Sequence, residues 1–317
     1  MLSRTADNLC WLARYVERAD YLARIIEATS RLASLPRAYG GDNSEWESAL
    51  ISTDGIEQFE ALYDKLAGPE VVHFLVFDER NPSSIRNCVE YARTNARAVR
   101  TALTVEMWEA INGAWLELRK FSHKDAHALE REALSGFLDI VKKMALDVDG
   151  SAYRTMLRND AFFFMRLGHF IERADNTARL LDVKYHVLLP ESEEVGGSLD
   201  YFQWTAILRA VSAHTAYHWV YRQSIKPWLV ADLLILKPDM PRSLISCYEN
   251  IVYYLDHLAR AYGRQGAAQR HARAVFARLQ RATRDSIFQG GLHEFIEGFI
   301  DDNNKLGAVL AEQYLVH

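Results

Sequence analysis

Leu12-Ala-Arg-Tyr-Val-Glu17-Arg18-Ala19-Asp20-Tyr-Leu-Ala23-Arg24 is the stretch around which this chain is organised, because it occurs twice. The second copy is Leu167-Gly-His-Phe-Ile-Glu172-Arg173-Ala174-Asp175-Asn-Thr-Ala178-Arg179. Seven of the thirteen positions are identical: Leu, Glu, Arg, Ala, Asp, Ala and Arg. We call the two stretches the first and second motif.

Both motifs have the periodicity of an amphipathic helix. Around the first motif, apolar residues recur three or four positions apart and share one helical face: Leu9, Leu12, Val16, Ala19, Ala23 and Ile26. The helical phase of about 100° per residue puts Glu17, Asp20 and Arg24 on one shoulder of that face. Asp20 and Arg24 form an i,i+4 pair of opposite charge, and Asp175 and Arg179 repeat it. The pattern therefore predicts two long helices with partly buried charges.

The two motifs contain eight charged candidate binding residues: Glu17, Arg18, Asp20, Arg24, Glu172, Arg173, Asp175 and Arg179. Buried charges need partners, so one interpretation is a structural ion-pair network between the helices. A second is a site where the arginines bind an anionic or zwitterionic group. A metal site on the carboxylates is not expected, because helical di-metal bundles use Glu-x-x-His, whereas here Asp stands at the third position on and Arg18 and Arg173 lie adjacent.

If the two motif helices pack against each other, the simplest pairing of their charged side chains is reciprocal. Glu17 and Arg18 leave the helix about 100° apart and cannot easily satisfy each other. We therefore predict that Glu17 pairs with Arg173 and that Glu172 pairs with Arg18.

These residues also carry a resemblance to a known family. The motifs, together with Asn81-Pro-Ser-Ser-Ile and Met107-Trp-Glu-Ala-Ile-Asn112, are similar to the alpha-E family, an all-helical bacterial family named for its Glu-Arg motif. The resemblance implies no established activity. It implies an association with circularly permuted ATP-grasp proteins and transglutaminase-like peptidases, whose genes lie beside alpha-E genes or are fused to them. A role in ATP-dependent peptide or amide ligation follows only by that association.

Composition is ordinary for a globular protein, with 49% hydrophobic and 25% charged residues. Three cysteines are too few for a disulfide scaffold, and no signal peptide or apolar membrane span is evident, so a cytoplasmic location is expected. The net charge of −5 gives no reason to expect nucleic-acid binding. Neither phosphate-binding loop nor dinucleotide fingerprint is present, and no cofactor is expected.

The repeat extends beyond the motifs. Trp46 matches Trp204, and Tyr63 matches Tyr221, at an offset of 158 residues. Pro82, Ser84 and Cys88 match Pro241, Ser243 and Cys247 at an offset of 159. These matches predict an all-α fold of about a dozen helices. We predict that residues 1–157 and 158–317 are two tandem repeats, related by a pseudo-twofold and packed as one bundle-like unit. The motif helices are expected at 3–35 and at about 151–189.

Two other groups of residues are weaker candidates for chemistry. Cys10, Cys88 and Cys247 have no metal-binding or catalytic signature around them and are expected to be small buried hydrophobes. His214 and His218 have the i,i+4 spacing that can hold a metal, but their counterparts in the first half are not histidines. No metal site is predicted.

A basic stretch follows Gly266. Arg270, Arg273, Arg281 and Arg284 are predicted to share one face of a helix whose opposite face is apolar. Three interpretations of this face stay open: it is simply solvated, it docks an acidic partner or substrate, or it binds nucleic acid or an anionic lipid. Residues 42–79 have the opposite charge bias, and the two stretches could meet within one chain or across a homodimer.

The leading functional hypothesis is an accessory component that binds the ligase or its peptide substrate in an ATP-grasp peptide or amide ligase system. One alternative is an enzyme that acts on a peptide or amino-acid ligand in a charged cleft between the motif helices. Another is a helical scaffold in which the Glu-Arg pairs serve folding only.

Overall fold

The computed structural model describes residues 1–34, 44–121, 131–186 and 198–315. Within these ranges every regular element is helical, as predicted. The first seven α-helices are α1 Ser3–Leu32, α2 Ser44–Ser52, α3 Ile56–Leu62, α4 Gly68–Val76, α5 Ile85–Ala98, α6 Val105–Leu118 and α7 Arg131–Thr155. The remaining eight are α8 Asp160–His186, α9 Ser198–Ala210, α10 His214–Tyr221, α11 Pro227–Leu236, α12 Leu244–Tyr262, α13 Ala267–Arg281, α14 Arg284–Gly290 and α15 Leu292–Tyr314.

The first motif lies on α1 and the second on α8. The predicted apolar stripe of α1 is confirmed, because all six of its residues are buried in the core. The predicted start of the second helix at residue 151 was wrong. Residues up to Thr155 belong to α7, and α8 begins at Asp160. Asn159 explains the break, since its side-chain oxygen accepts hydrogen bonds from the backbone N–H groups of Ala161 and Phe162.

Helices α1 and α8 form the most extensive helix pair among the described residues. Within its own half, α1 packs mainly against α5 and α7, and α8 mainly against α12 and α15. Apart from the α1–α8 pair itself, the main contacts with the other half are those of α1 with α9 and of α8 with α2. The helices that contact α1 and those that contact α8 occupy corresponding places in the two halves of the chain, as the sequence repeat would arrange them. The pseudo-twofold duplication and the division at residue 157 nevertheless stay predictions.

Matched caps begin the helices that flank the motif helices. Ser84 accepts from the backbone N–H of Asn87 at the start of α5, and Ser243 accepts from that of Ser246 at the start of α12. Among the described helices, none has both the length and the apolar character that crossing a bilayer requires.

Candidate functional site

Helices α1 and α8 approach so closely that one position admits only glycine. A Cβ atom at Gly168 would overlap the backbone carbonyl of Cys10 on α1. The close approach brings the shoulder of each motif helix within reach of the other, and it is the reason that long arginine side chains can bridge the two helices here.

Glu17 is 3% exposed and is held by two arginines of the second half. Arg173 donates from Nε to Oε1 at 2.9 Å and from Nη2 to Oε2 at 3.0 Å, which is a bidentate pair. Arg242 donates from Nη1 to Oε1 at 2.7 Å. Burial alone would raise the pKa of Glu17, but these guanidiniums outweigh it and hold the pKa well below its usual value. Glu17 is therefore ionised at neutral pH.

Glu172 is equally buried and is held by two arginines of the first half. Arg18 donates to Oε1 at 2.6 Å, and Arg14 donates to Oε2 at 2.8 Å. Against the effect of burial, Arg18 and Arg14 lower the pKa of this carboxyl. The predicted reciprocal pairing of Glu17 with Arg173 and of Glu172 with Arg18 is confirmed.

Two of the four arginines were missed from the sequence, and they occupy non-equivalent positions. Arg14 corresponds to His169 in the second motif, and Arg242 corresponds to Ser83 in the matched Pro-x-Ser segment. Ser83 accepts a hydrogen bond from Arg18 at 3.2 Å. Each glutamate thus has two guanidiniums, although the second one comes from different elements. The repeat offered one signal for Arg242. This arginine stands directly before the capping Ser243, whereas the first half has Ser83 directly before the capping Ser84.

The motif aspartates flank the glutamate pairs as expected. Asp20 accepts from Arg24 and Asp175 from Arg179, each with Oδ2 at 2.8 Å. Arg242 also donates to Oδ2 of Asp20 at 2.8 Å. In both aspartates the other oxygen, Oδ1, is buried and has no hydrogen-bond partner. In this network both oxygens of each glutamate accept hydrogen bonds, whereas one oxygen of each aspartate has no hydrogen-bond partner.

A small cavity of about 50 Å³ lies beside the Glu17 side of the network. His169 lines it, with Nδ1 3.4 Å from Oε2 of Glu17. Burial and the nearby Arg173 lower the pKa of His169 well below its usual value, so that the ring is neutral at neutral pH. Nε2 of His169 is buried without a hydrogen-bond partner.

A larger groove of about 400 Å³ runs between the C-terminal part of α1 and α9. Tyr201 and Phe202 are exposed along it, and Arg24, Arg31 and Arg209 line it. An apolar cavity of about 70 Å³ adjoins the groove. The groove and the apolar cavity share four residues: Ala28, Leu32, Ala206 and Ala210.

The predicted basic face is corrected in part. The apolar side is confirmed, since Ala272, Val275 and Leu279 are buried. The helix ends at Arg281, however, and Arg284 begins the separate helix α14. The cause is Thr283, which caps α14 by accepting from the backbone N–H of Ser286.

The four predicted docking arginines differ in their local contacts. Arg273 donates to Asp256 at 2.6 Å and to Gln265 at 3.0 Å. Arg270 and Arg281 are exposed on α13. A docking role for Arg270, Arg273, Arg281 and Arg284 stays a prediction.

The remaining candidates have ordinary surroundings. All three cysteines are buried and free, as expected, and burial raises the pKa of each thiol to about 12. The rings of His214 and His218 lie 4.8 Å apart. In the described part of the chain, no group of three or more histidine, cysteine or acidic side chains is arranged to hold a metal.

Two long helices joined by buried Glu-Arg pairs define an all-helical protein in which one charged motif occurs twice. The chain belongs to the Alpha-E family, described as a predicted alpha-helical domain with a conserved ER motif, whose family model matches residues 1–315.

Similar curated proteins include uncharacterized proteins of Mycobacterium bovis and Mycobacterium tuberculosis, each 24% identical over 298 residues. The match covers 88% of this chain and 32% of each relative. The chain therefore spans about a third of the length of these relatives. No solved structure matches the chain significantly.

Proposed function

We propose that this Alpha-E protein is an accessory component of an ATP-grasp peptide or amide ligase system and that it binds the ligase or its peptide substrate. The association implied by the family resemblance supports this proposal. The relatives are about three times as long as the matched region, which is what a binding module joined to further domains would give. A circularly permuted ATP-grasp protein is the expected partner, and a transglutaminase-like peptidase is a second.

The state of the Glu-Arg motif favours an accessory role over catalysis at the motif glutamates. Both carboxylates are buried and each accepts from two guanidiniums. A carboxylate whose pKa is lowered by such partners is a poor general base, since effective catalytic groups have a pKa near the working pH. We infer that the glutamates hold the two helices in register and that binding occurs elsewhere.

The groove between α1 and α9 is the observation that carries the proposal. Its volume of about 400 Å³ falls within the range of about 300–1,000 Å³ typical of ligand sites. Tyr201 and Phe202 are 42% and 37% exposed, and aromatic and arginine side chains are enriched at the centres of protein interfaces.

The charge and shape of the groove define the partner's chemistry. Arg24, Arg31 and Arg209 face a single acid, Glu27, among the lining residues. Glu27 is already engaged by Arg31 at 2.5 Å and by Lys142 at 2.9 Å. The adjoining apolar cavity accepts an uncharged side chain. The groove therefore fits an extended peptide with an acidic residue next to an apolar anchor.

Titration of the full chain with a circularly permuted ATP-grasp protein tests the proposal. We expect binding that weakens at least tenfold when Tyr201 and Phe202 are both changed to Ser, because losing a single interface hot spot costs about 2 kcal/mol or more and each ~1.4 kcal/mol is a factor of ten. Tyr253→Ser is the matched control, since Tyr253 is 54% exposed on α12 and does not line the groove. Binding that is lost equally in the control, or in neither variant, contradicts the groove.

A further inference from the structure

The turn between α9 and α10, beside the groove, has the same backbone as the turn between α2 and α3 in the other half. Ser212 and Asp54 hold the matched positions, and both lie in the left-handed region, with φ of 56° and 57°. The backbone N–H of each donates at 3.0 Å to the carbonyl three residues earlier, which belongs to Arg209 or to Ile51. Because the two backbones are equivalent, the side chains at the two turns can be compared directly.

Each of these turns contacts the last arginine of the motif in the other half. Nη1 of Arg179 lies 3.2 Å from Oδ1 of Asp54, so this arginine pairs with a carboxylate at the turn in addition to Asp175. Nη1 of Arg24 donates at 2.7 Å to Oγ of Ser212. The matched position therefore provides a negative charge in one half and only a neutral hydroxyl in the other.

The ion-pair clusters around the two motif glutamates differ in net charge. In the described part of the chain, three carboxylates pair with three guanidiniums around Glu172: Asp54, Glu172 and Asp175 with Arg14, Arg18 and Arg179. Around Glu17, three carboxylates pair with four guanidiniums: Glu17, Asp20 and Asp149 with Arg24, Arg166, Arg173 and Arg242. The cluster around Glu17 thus has one positive charge in excess, which favours an added carboxylate beside Arg24 over an added cation.

The residues that flank Ser212 make the groove side of this turn more basic. Arg209 and His214 stand where the first half has Ile51 and Ile56, and both line the groove. Arg209 is exposed and has no ion-pair partner among the described residues. Burial and two neighbouring basic side chains, one of them Arg209, lower the pKa of His214. Where the first half has an aspartate between two isoleucines, the second half therefore has a serine between an arginine and a histidine.

We propose that this turn is a carboxylate-binding subsite of the groove and that a ligand carboxylate supplies here the charge that Asp54 supplies in the other half. Arg24 and Arg209, which both line the groove, provide the positive charge. The Ser212 hydroxyl accepts from Arg24 and keeps its own proton, which it donates to the ligand. The inference rests on the proposed peptide groove and specifies the chemical group that this part of the groove recognises. A side-chain carboxylate and a carboxylate at a chain end share this chemistry.

Three dipeptides test the subsite without any partner protein: acetyl-Leu-Glu-amide, acetyl-Leu-Ala with a free carboxylate, and the uncharged acetyl-Leu-Gln-amide. The full chain, labelled with ¹⁵N-histidine, is titrated with each at constant ionic strength, and the ring resonances of His214 are followed. We expect at least one carboxylate peptide to bind about tenfold tighter than the Gln peptide, the ratio that one charge-assisted hydrogen bond gives, and the peptide that does so identifies the source of the carboxylate. Equal affinities for all three overturn the subsite but leave the groove, whereas no saturable shift with any of them contradicts the groove as well.

Variants locate the binding. Ser212→Asp gives this turn the acid of the matched turn, whose backbone already accepts aspartate at φ 57°, and is expected to abolish the preference for a carboxylate peptide. Arg209→Gln removes an exposed guanidinium and is expected to reduce the preference at least threefold. Gln223→Asp is the matched control, because it adds the same charge at an exposed position that does not line the groove, and it should keep the preference. A preference that persists unchanged in Ser212→Asp or in Arg209→Gln, or that Gln223→Asp also abolishes, overturns the proposal.

Discussion

Removal of each motif glutamate should destabilise the protein unequally, although the two positions are identical in sequence. Glu17→Gln leaves Arg173 and Arg242 without their carboxylate, and these side chains are only 14% and 11% exposed. Stranding a buried charge costs about 3–5 kcal/mol. Arg242 can still donate to Asp20 in this variant. We therefore expect the free energy of unfolding to fall by about 3–4 kcal/mol, within that range.

Glu172→Gln should lower the free energy of unfolding by less than Glu17→Gln does. Arg14 and Arg18 are each 24% exposed, and a guanidinium that reaches water loses less when its partner is removed. The expected cost is nearer to the ~1–3 kcal/mol of an unsatisfied hydrogen-bonding group. Urea unfolding at pH 7, with the slope on denaturant checked for two-state behaviour, measures both variants. Equal costs, or a larger cost for Glu172→Gln, would refute the argument from exposure.

A charge swap sharpens the test. From the sequence alone, Glu17→Arg combined with Arg173→Glu should recover part of the lost stability. The structure changes this expectation, because Arg242 donates to Glu17 at 2.7 Å and would then face an arginine. Like charges about 4 Å apart cost up to about 4 kcal/mol at an effective dielectric of 20. The swap should therefore recover nothing until Arg242→Gln is added. Recovery by the swap alone would show that Arg242 does not contribute.

Three further predictions follow from particular contacts. Gly168→Ala should cost about 1–3 kcal/mol or more in unfolding free energy because its Cβ overlaps the Cys10 backbone, whereas Gly150→Ala, with open space around it on α7, should stabilise by about 0.5–1 kcal/mol. Because the folded pKa of His169 lies below the ordinary 6.5, the unfolded chain binds more protons, and stability should fall below pH 6.5 by up to about 1.4 kcal/mol per pH unit; a His169→Gln variant that keeps the same slope contradicts this. Changing Arg270 and Arg281 to Gln should leave the melting temperature within error, since exposed charges contribute little, and any effect on ligase binding should be largest at low salt.

The pairing of the motif helices was accessible from the sequence because it needs only helical phase and the repeat. Glu17 and Arg18 point about 100° apart, and this sufficed to predict the pairs with Arg173 and Glu172. The break between α7 and α8 was placed too early, before residue 151 instead of between Thr155 and Asp160, because the apolar pattern does not reveal that Asn159 caps the new helix. The end of α13 before Thr283 was missed for the same reason.

The sequence by itself determined the all-helical class, the buried stripe of α1 and the reciprocal Glu-Arg pairs. Each follows from spacing along a helix, which is a local property. Only the tertiary structure decides which second arginine binds each motif glutamate. Arg242 lies 225 residues from Glu17, and no periodicity links them. It likewise decided which side of the network contains a cavity, because a cavity depends on how α7 and α8 pack around His169. Such packing involves side chains that are far apart in the sequence, so hydrophobic periodicity and helix propensity cannot predict it.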